Sequence, residues 1–271
     1  MDKMRFVVHL LIVLIGALWI LPLYVLVIGA LKPLSEVLTT PVFQPSSAVD
    51  FATVARVAGE LAPVLLNTAV VVIPSAIGAT LIGALGAYAL WRAATRLKDV
   101  FMVLVAIATY LPYQSAVVPL ARFMTQIGLF DTLYGIALAL LIFFIPFATL
   151  MMLIFITALP RAVVEAAEVD GAGEFTIFAR AVLPLLGPAF TSTATYLTIN
   201  GWNNFFIPLV LSRTYNNHIT LKVFSYVGQS GNLYNEMFSA ALIASLPPLL
   251  LFIALGRYFI RGLLVLGSGG K

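Results

Sequence analysis

Hydrophobic residues in this chain fall in long, nearly unbroken blocks separated by short polar stretches. Six blocks stand out, at residues 6–31, about 65–89, 101–124, 133–156, 182–211 and 237–260. Each is long enough to cross a hydrocarbon layer of about 30 Å as a helix. Inside lipid a chain must close its own backbone hydrogen bonds, which helices do. The pattern therefore predicts an all-α membrane protein, six transmembrane helices in a single domain over 1–271. The first block follows Lys3 and Arg5, a start shared with signal peptides. As a helix it would be about 39 Å long, well beyond the roughly 7–15-residue core of a signal peptide. A retained first span is the better reading. Residues 32–62 read as a polar linker containing Pro33, Pro41 and Pro45. The second block carries Gly83 and Ala87, a small-xxx-small pair that suits close helix packing. Pro112 and Pro119 interrupt the third, and Pro146 sits inside the fourth.

One polar-rich stretch interrupts the second half. Residues 160–181 predict a helix, a sharp turn and a second short helix. Pro160 suits a first helical position, where a missing N–H costs nothing. Gly171 is placed to take the left-handed backbone that closes a helix. Phe175, Phe178 and Val182 are spaced to share one face of the second helix. Ala162, Ala166 and Val169 form a stripe of small side chains, with Glu165 and Glu168 one turn apart beside it. Such a surface suits docking onto a protein partner; an ordinary connecting loop is the alternative.

Composition agrees with the blocks. Of 271 residues 62% are hydrophobic and 10% charged, too apolar for a soluble globular domain. The net charge of +4 is spread among the loops and gives no nucleic-acid signal. With no cysteine, thiolate catalysis and cysteine metal sites are excluded. His9 and His218 are far apart, no nucleophile–base signature appears, and no phosphate-cradling Gly-Lys-Ser/Thr loop is present. Neither catalysis nor ATP binding is expected of this chain, and no metal site. With both termini inside, the basic residues divide ten to five: Lys3, Arg5, Arg92, Arg96, Lys98, Arg161, Arg180, Arg257, Arg261 and Lys271 against Lys32, Arg56, Arg122, Arg213 and Lys222. That bias puts the 160–181 segment in the cytoplasm.

Polar side chains at membrane depth are the candidate ligand contacts. Asn200, Trp202, Asn203 and Asn204 form the densest group, and Tyr110 with Gln114 is the second. Amides and aromatic faces suit sugars; interhelical hydrogen bonding is the competing role. Away from their ends the spans carry no Lys or Arg, which favours a neutral substrate. The 213–236 loop, rich in Tyr215, Asn216, Asn217, Gln229, Asn232 and Tyr234, is either a solvated connector or a docking surface.

Several of these stretches together resemble one family. Glu165-Ala166-Ala167, then Asp170-Gly171-Ala172 and Leu183-Pro184, is similar to the EAA signature of permease subunits of ATP-binding-cassette importers, with Ala181 where that family carries Ile or Val. Asn67-Thr68, Ala87-Tyr88-Ala89, Leu111-Pro112-Tyr113-Gln114, Gly201-Trp202-Asn203-Asn204 (Asp in the common form of the last position) and Thr220-Leu221 also resemble it, as does the carboxyl end around 256–263. The likeness covers roughly 60–271 and is strongest to maltose-type carbohydrate permeases.

The resemblance implies a type I importer fold in the cytoplasmic membrane, with the 160–181 segment forming coupling helices between spans four and five. It implies a second permease subunit, two ATPase subunits that bind ATP and Mg, and an extracytoplasmic binding protein. Glu165, Ala166, Ala167, Asp170, Gly171 and Ala172 would seat on the ATPase, and part of the 213–236 loop would face the binding protein. Glycerol-3-phosphate or polyol import is the variant reading. A self-contained secondary transporter is the rival class, although such proteins tend to bury ionisable residues that these spans lack.

Overall fold

A computed structural model describes residues 3–93, 97–110, 112–228 and 233–268. Arg96, Leu111, Gln229, Asn232 and Lys271 lie outside them. The described chain is helical. In order come α1 (Lys3–Leu31), α2 (Leu34–Thr39), α3 (Phe51–Arg92), α4 (Leu97–Tyr110), α5 (Val117–Gln126) and α6 (Leu133–Ile156). Then follow α7 (Ala162–Val169), α8 (Glu174–Leu185), α9 (Gly187–Trp202), α10 (Phe206–Leu211), α11 (Ile219–Gly228) and α12 (Tyr234–Ser268).

Among the described residues four helices are long and apolar enough to cross a membrane: α1, α3, α6 and the Tyr234–Gly256 part of α12. The total is up to six if each of two bent pairs counts as one span. One pair bends by 88° between Asp99–Tyr110 and Tyr113–Gln126. There Pro112, which cannot donate, opens a 3-10 turn over Tyr113–Ala116. The other bends by 77° between α8 and α9. The predicted fifth helix over 182–211 is thus not continuous: it turns at Leu186, ends at Trp202 and resumes at Phe206. The expected linker also ends early, because α3 starts at Phe51 rather than near residue 65. Asp50 caps it, accepting from the Thr53 backbone N–H at 3.0 Å and the Thr53 hydroxyl at 2.7 Å.

The long α3 packs most extensively on α6, and three buried clusters are stacked along it. The middle cluster joins Val72, Ala76, Met124, Leu140, Phe144 and Leu197. The second, at the end of α3 near Tyr88, includes Met152, Ile156, Val164, Phe178 and Val182. The third, near the start of α3, brings Val57 and Leu61 to Trp202, Ile219 and Ala240. Lipid is as apolar as these side chains, so close packing and interhelical hydrogen bonds must hold the bundle. Gly83 supplies the closest approach: a Cβ there would lie 2.7 Å from the Ala148 carbonyl carbon. Ser75 Oγ adds a hydrogen bond to the Ala137 carbonyl, 2.8 Å away. By contrast α1 touches the bundle mainly at its carboxyl end, where the Ser239 hydroxyl donates to the Ala30 carbonyl at 3.1 Å.

Candidate functional site

The α7–α8 elbow is built by a glycine-closed helix end. Pro160 lies outside the helix, two residues ahead of Ala162, and its carbonyl accepts from the Val163 N–H at 3.2 Å. The expected first-turn role passes to Arg161 and Ala162. At the far end Gly171 has φ 75°. Its N–H donates to Glu168 O at 2.9 Å, and Ala172 N–H donates to Ala167 O at 3.0 Å. These two bonds form the Schellman closure, which needs a left-handed residue and therefore favours glycine. Val164 is buried, while Ala162, Glu165, Ala166 and Asp170 are exposed and Ala167 and Ala172 are half-buried. Val169 is 88% exposed.

Two expectations for this elbow need correction. Phe175 does not share a buried face with Phe178 and Val182; it is 76% exposed. The chain is π-helical over Ile177–Val182, and i→i+5 bonding sets Ile177 above Val182 instead. Glu168 is not a free companion of Glu165. Arg92, at the end of α3, places Nη2 2.5 Å from Glu168 Oε1 and 2.7 Å from Glu174 Oε1. The Tyr88 hydroxyl donates to Glu174 Oε2, and its ring packs 5.4 Å from that of Phe178.

A cleft of about 600 Å³ opens between the 3-10 turn after α4, α9, the α9–α10 break and α12. It gathers Gln114, Asn200, Asn203 and Asn204 with the aromatic residues Tyr113, Tyr196, Phe205, Phe206 and Phe252. No Lys, Arg, Asp or Glu lines it among the described residues. Asn203 and Asn200 are exposed, with amides available to a ligand. Asn204 is buried and committed: its Oδ1 accepts from the Ile207 N–H in the first turn of α10 at 3.1 Å. Its Nδ2 lies 3.4 Å from the Tyr113 hydroxyl. Two predicted members lie elsewhere. Trp202 points to the other side of α9 and donates through Nε1 to the Ala244 carbonyl at 3.0 Å. Tyr110, 86% exposed, ends α4 outside the cleft.

Beside the middle of α3, well away from the elbow, Tyr215–Asn217 forms a 3-10 turn. Tyr215 and Asn216 are exposed and Asn217 is half-buried. The turn is anchored on both sides. Asn67 Nδ2 donates to the Asn216 carbonyl at 3.1 Å, and Asn217 Nδ2 donates to Ser212 Oγ at 3.3 Å. Asp131, with φ 60°, accepts from the Arg213 N–H at 2.8 Å. Next to the turn, the Ile219 N–H donates to Thr68 Oγ1 at 2.9 Å. Asn67-Thr68 is therefore a seat for the 213–219 segment. His218 is fully buried beside it, with Nδ1 2.9 Å from the Thr220 hydroxyl. Burial pushes its pKa down to about 4, opposed weakly by the nearby Gly201 backbone.

The pattern of the binding-protein-dependent transport system inner membrane component family matches residues 79–265. The chain belongs to this family. Among relatives of this family member, the glucose import system permease of Saccharolobus solfataricus is 42% identical, covering 100% of this chain and 99% of that one. An osmoprotective-compound uptake permease from Synechocystis is 30% identical over 95% of this chain and 90% of its own length. The alpha-glucoside transport permease of Rhizobium meliloti is 32% identical over 73% of this chain and 54% of its own length. In structure the chain is similar to a bacterial ABC transporter involved in alginate import, with TM-score 0.78 and 21% identity, covering 96% and 98% of the two chains. That likeness gives the fold, the type I permease arrangement.

Sequence reasoning found both arms of the elbow and the amides of the cleft. It missed the aromatic wall, because Phe252 joins from a helix remote in sequence and Tyr196, Phe205 and Phe206 read as ordinary apolar residues. Arg92 carried a signal only as a basic residue at a span end.

Proposed function

We propose that the chain is one membrane-spanning subunit of an ATP-driven, binding-protein-dependent importer that moves a neutral sugar inward by alternating access. A second permease subunit pairs with it, two ATPase subunits below bind ATP and Mg, and an external binding protein delivers the substrate. The similarity to a glucose import permease along the whole chain carries this reading. The site supports it physically. Ala162, Ala166, Val169 and Phe175 offer an exposed, small and apolar surface bordered by Glu165, fit to seat in a cleft of the ATPase. The basic-residue bias supports an elbow on the inner side; the Tyr215–Asn217 turn, seated at Asn67 far along α3 from Arg92, then faces the binding protein.

Within this reading the 600 Å³ cleft is part of the sugar path. Asn200, Asn203 and Gln114 pair with hydroxyl groups, and the aromatic wall packs on the apolar C–H faces of the ring. The lack of a lining cation disfavours a phosphorylated substrate such as glycerol-3-phosphate, as well as an acidic sugar. A neutral osmoprotectant or polyol is a second reading, favoured by the Synechocystis relative. The reading is tested in proteoliposomes holding the chain, its co-expressed permease and ATPase partners, and the loaded binding protein. Uptake of labelled glucose or a glucose oligosaccharide should require internal ATP, and ATPase activity should rise with the loaded binding protein. Uptake by the chain alone, driven by an ion gradient, would count against it.

A further inference from the structure

The elbow is not held by its own hydrogen bonds alone. One guanidinium bridges its two arms: Arg92 Nη2 contacts Glu168 on α7 at 2.5 Å and Glu174 on α8 at 2.7 Å, spanning the Gly171 turn. Arg92 is also the last residue of α3, which runs unbroken from Phe51. At about 1.5 Å per residue this helix is about 63 Å long, roughly twice the hydrocarbon thickness. Near its middle it is fastened to the 213–219 segment by Asn67 and Thr68, and nearer its start through Arg56 to Glu236 on α12 at 2.7 Å. Tyr88, one turn before Arg92, adds a second grip on Glu174.

We infer that Arg92 is a positioning residue that locks the two arms of the elbow into one rigid body and fastens that body to α3. Any displacement of α7–α8 must then move α3 as a strut, and the 213–219 segment is seated on α3 at Asn67 and Thr68. A lysine would not serve equally, since both contacts come from Nη2 at the tip of the guanidinium, one bond beyond the reach of a lysine ammonium. Each ion pair is partly exposed, so its contribution to folding is small and its effect falls on local geometry.

The test uses the assembled complex, comparing wild type with Arg92→Ala and Arg92→Lys by hydrogen-exchange mass spectrometry over the 162–176 amides, alongside ATPase stimulation by loaded binding protein. Arg92→Ala should raise exchange in both arms by about fivefold. It should also remove most of the stimulation per assembled complex while basal hydrolysis is kept, and Arg92→Lys should fall between. Should Arg92→Ala fail to assemble, Arg92→Lys, which keeps charge and stem, must still show faster exchange and weaker stimulation. Unchanged exchange overturns the lock. Faster exchange with wild-type stimulation overturns the strut. The second readout rests on the proposed function; if wild type itself shows no stimulation while exchange responds to Arg92→Ala, the lock stands and the functional reading falls.

Discussion

Replacing Gly83 by alanine tests whether the α3–α6 seam depends on close backbone approach. The new methyl would lie 2.7 Å from both the carbonyl carbon and the Cβ of Ala148, and 2.8 Å from the Thr149 nitrogen. Non-bonded carbons rest at about 3.5–4.0 Å, so the two helices must part by about 1 Å. The obstructing atoms are largely backbone and cannot rotate away. Overpacking of this kind costs about 1–3 kcal/mol, offset in part by the roughly 1 kcal/mol that alanine gains over glycine within a helix. A net loss of about 1 kcal/mol, at most about 2, is expected. Gly86 is the internal control, one turn along the same helix. Its added methyl would meet only the Thr149 side chain, at 3.4 and 3.5 Å, so Gly86→Ala should be neutral or slightly stabilising. Equilibrium unfolding in mixed micelles with increasing dodecyl sulfate, followed by far-UV circular dichroism, measures the difference. Equal midpoints for the two variants, or a Gly83→Ala protein as stable as wild type, would refute the close-approach reasoning.

Other expectations follow from single residues. Gly171→Leu should strain the turn by about 1–2 kcal/mol, since its φ of 75° suits glycine, and ATPase stimulation should fall in the reconstituted complex. Asn204→Ala leaves the buried Ile207 N–H without its acceptor, costing about 1–2 kcal/mol of stability. Asn203→Ala, whose amide is free, should instead weaken sugar uptake with little loss of stability. His218, held neutral by burial with its pKa lowered to about 4, makes stability pH-dependent. Below its ordinary value of 6.5 the unfolded chain takes up a proton that the folded chain refuses. Stability is therefore fully present above pH 6.5 and falls as pH drops toward 4, and His218→Gln should flatten thermal melts across that window.

The hydrophobic blocks reported what lies in lipid and little of what lies beyond it. The block at 133–156 coincides with α6 because its ends coincide with polar segments. The start of α3 was hidden because its first turns are amphipathic: Arg56 and Glu60 form an i,i+4 pair on a helix that reaches outside the apolar layer. The break after Trp202 lies between Gly201 and Pro208, signals that the length of the apolar block outweighed. It rests on the Asn204 side chain replacing a backbone partner, which an apolar pattern cannot register. Gly171 was legible because a local turn needs a local residue. The Arg92 bridges, joining positions 76 and 82 apart, were not, and neither was Phe252 in the cleft.

The claim on which the rest depends is that the elbow meets an ATPase on the inner side. The natural sequence contains no cysteine, so Val169→Cys in the otherwise native chain gives a single reactive thiol on an exposed position. Labelling that thiol with a benzophenone maleimide in inside-out vesicles and photolysing with and without ATP should cross-link it to the ATPase subunit in a nucleotide-dependent yield. A thiol labelled instead by an impermeant reagent from outside intact cells, with no cross-link to the ATPase in either state, would contradict it.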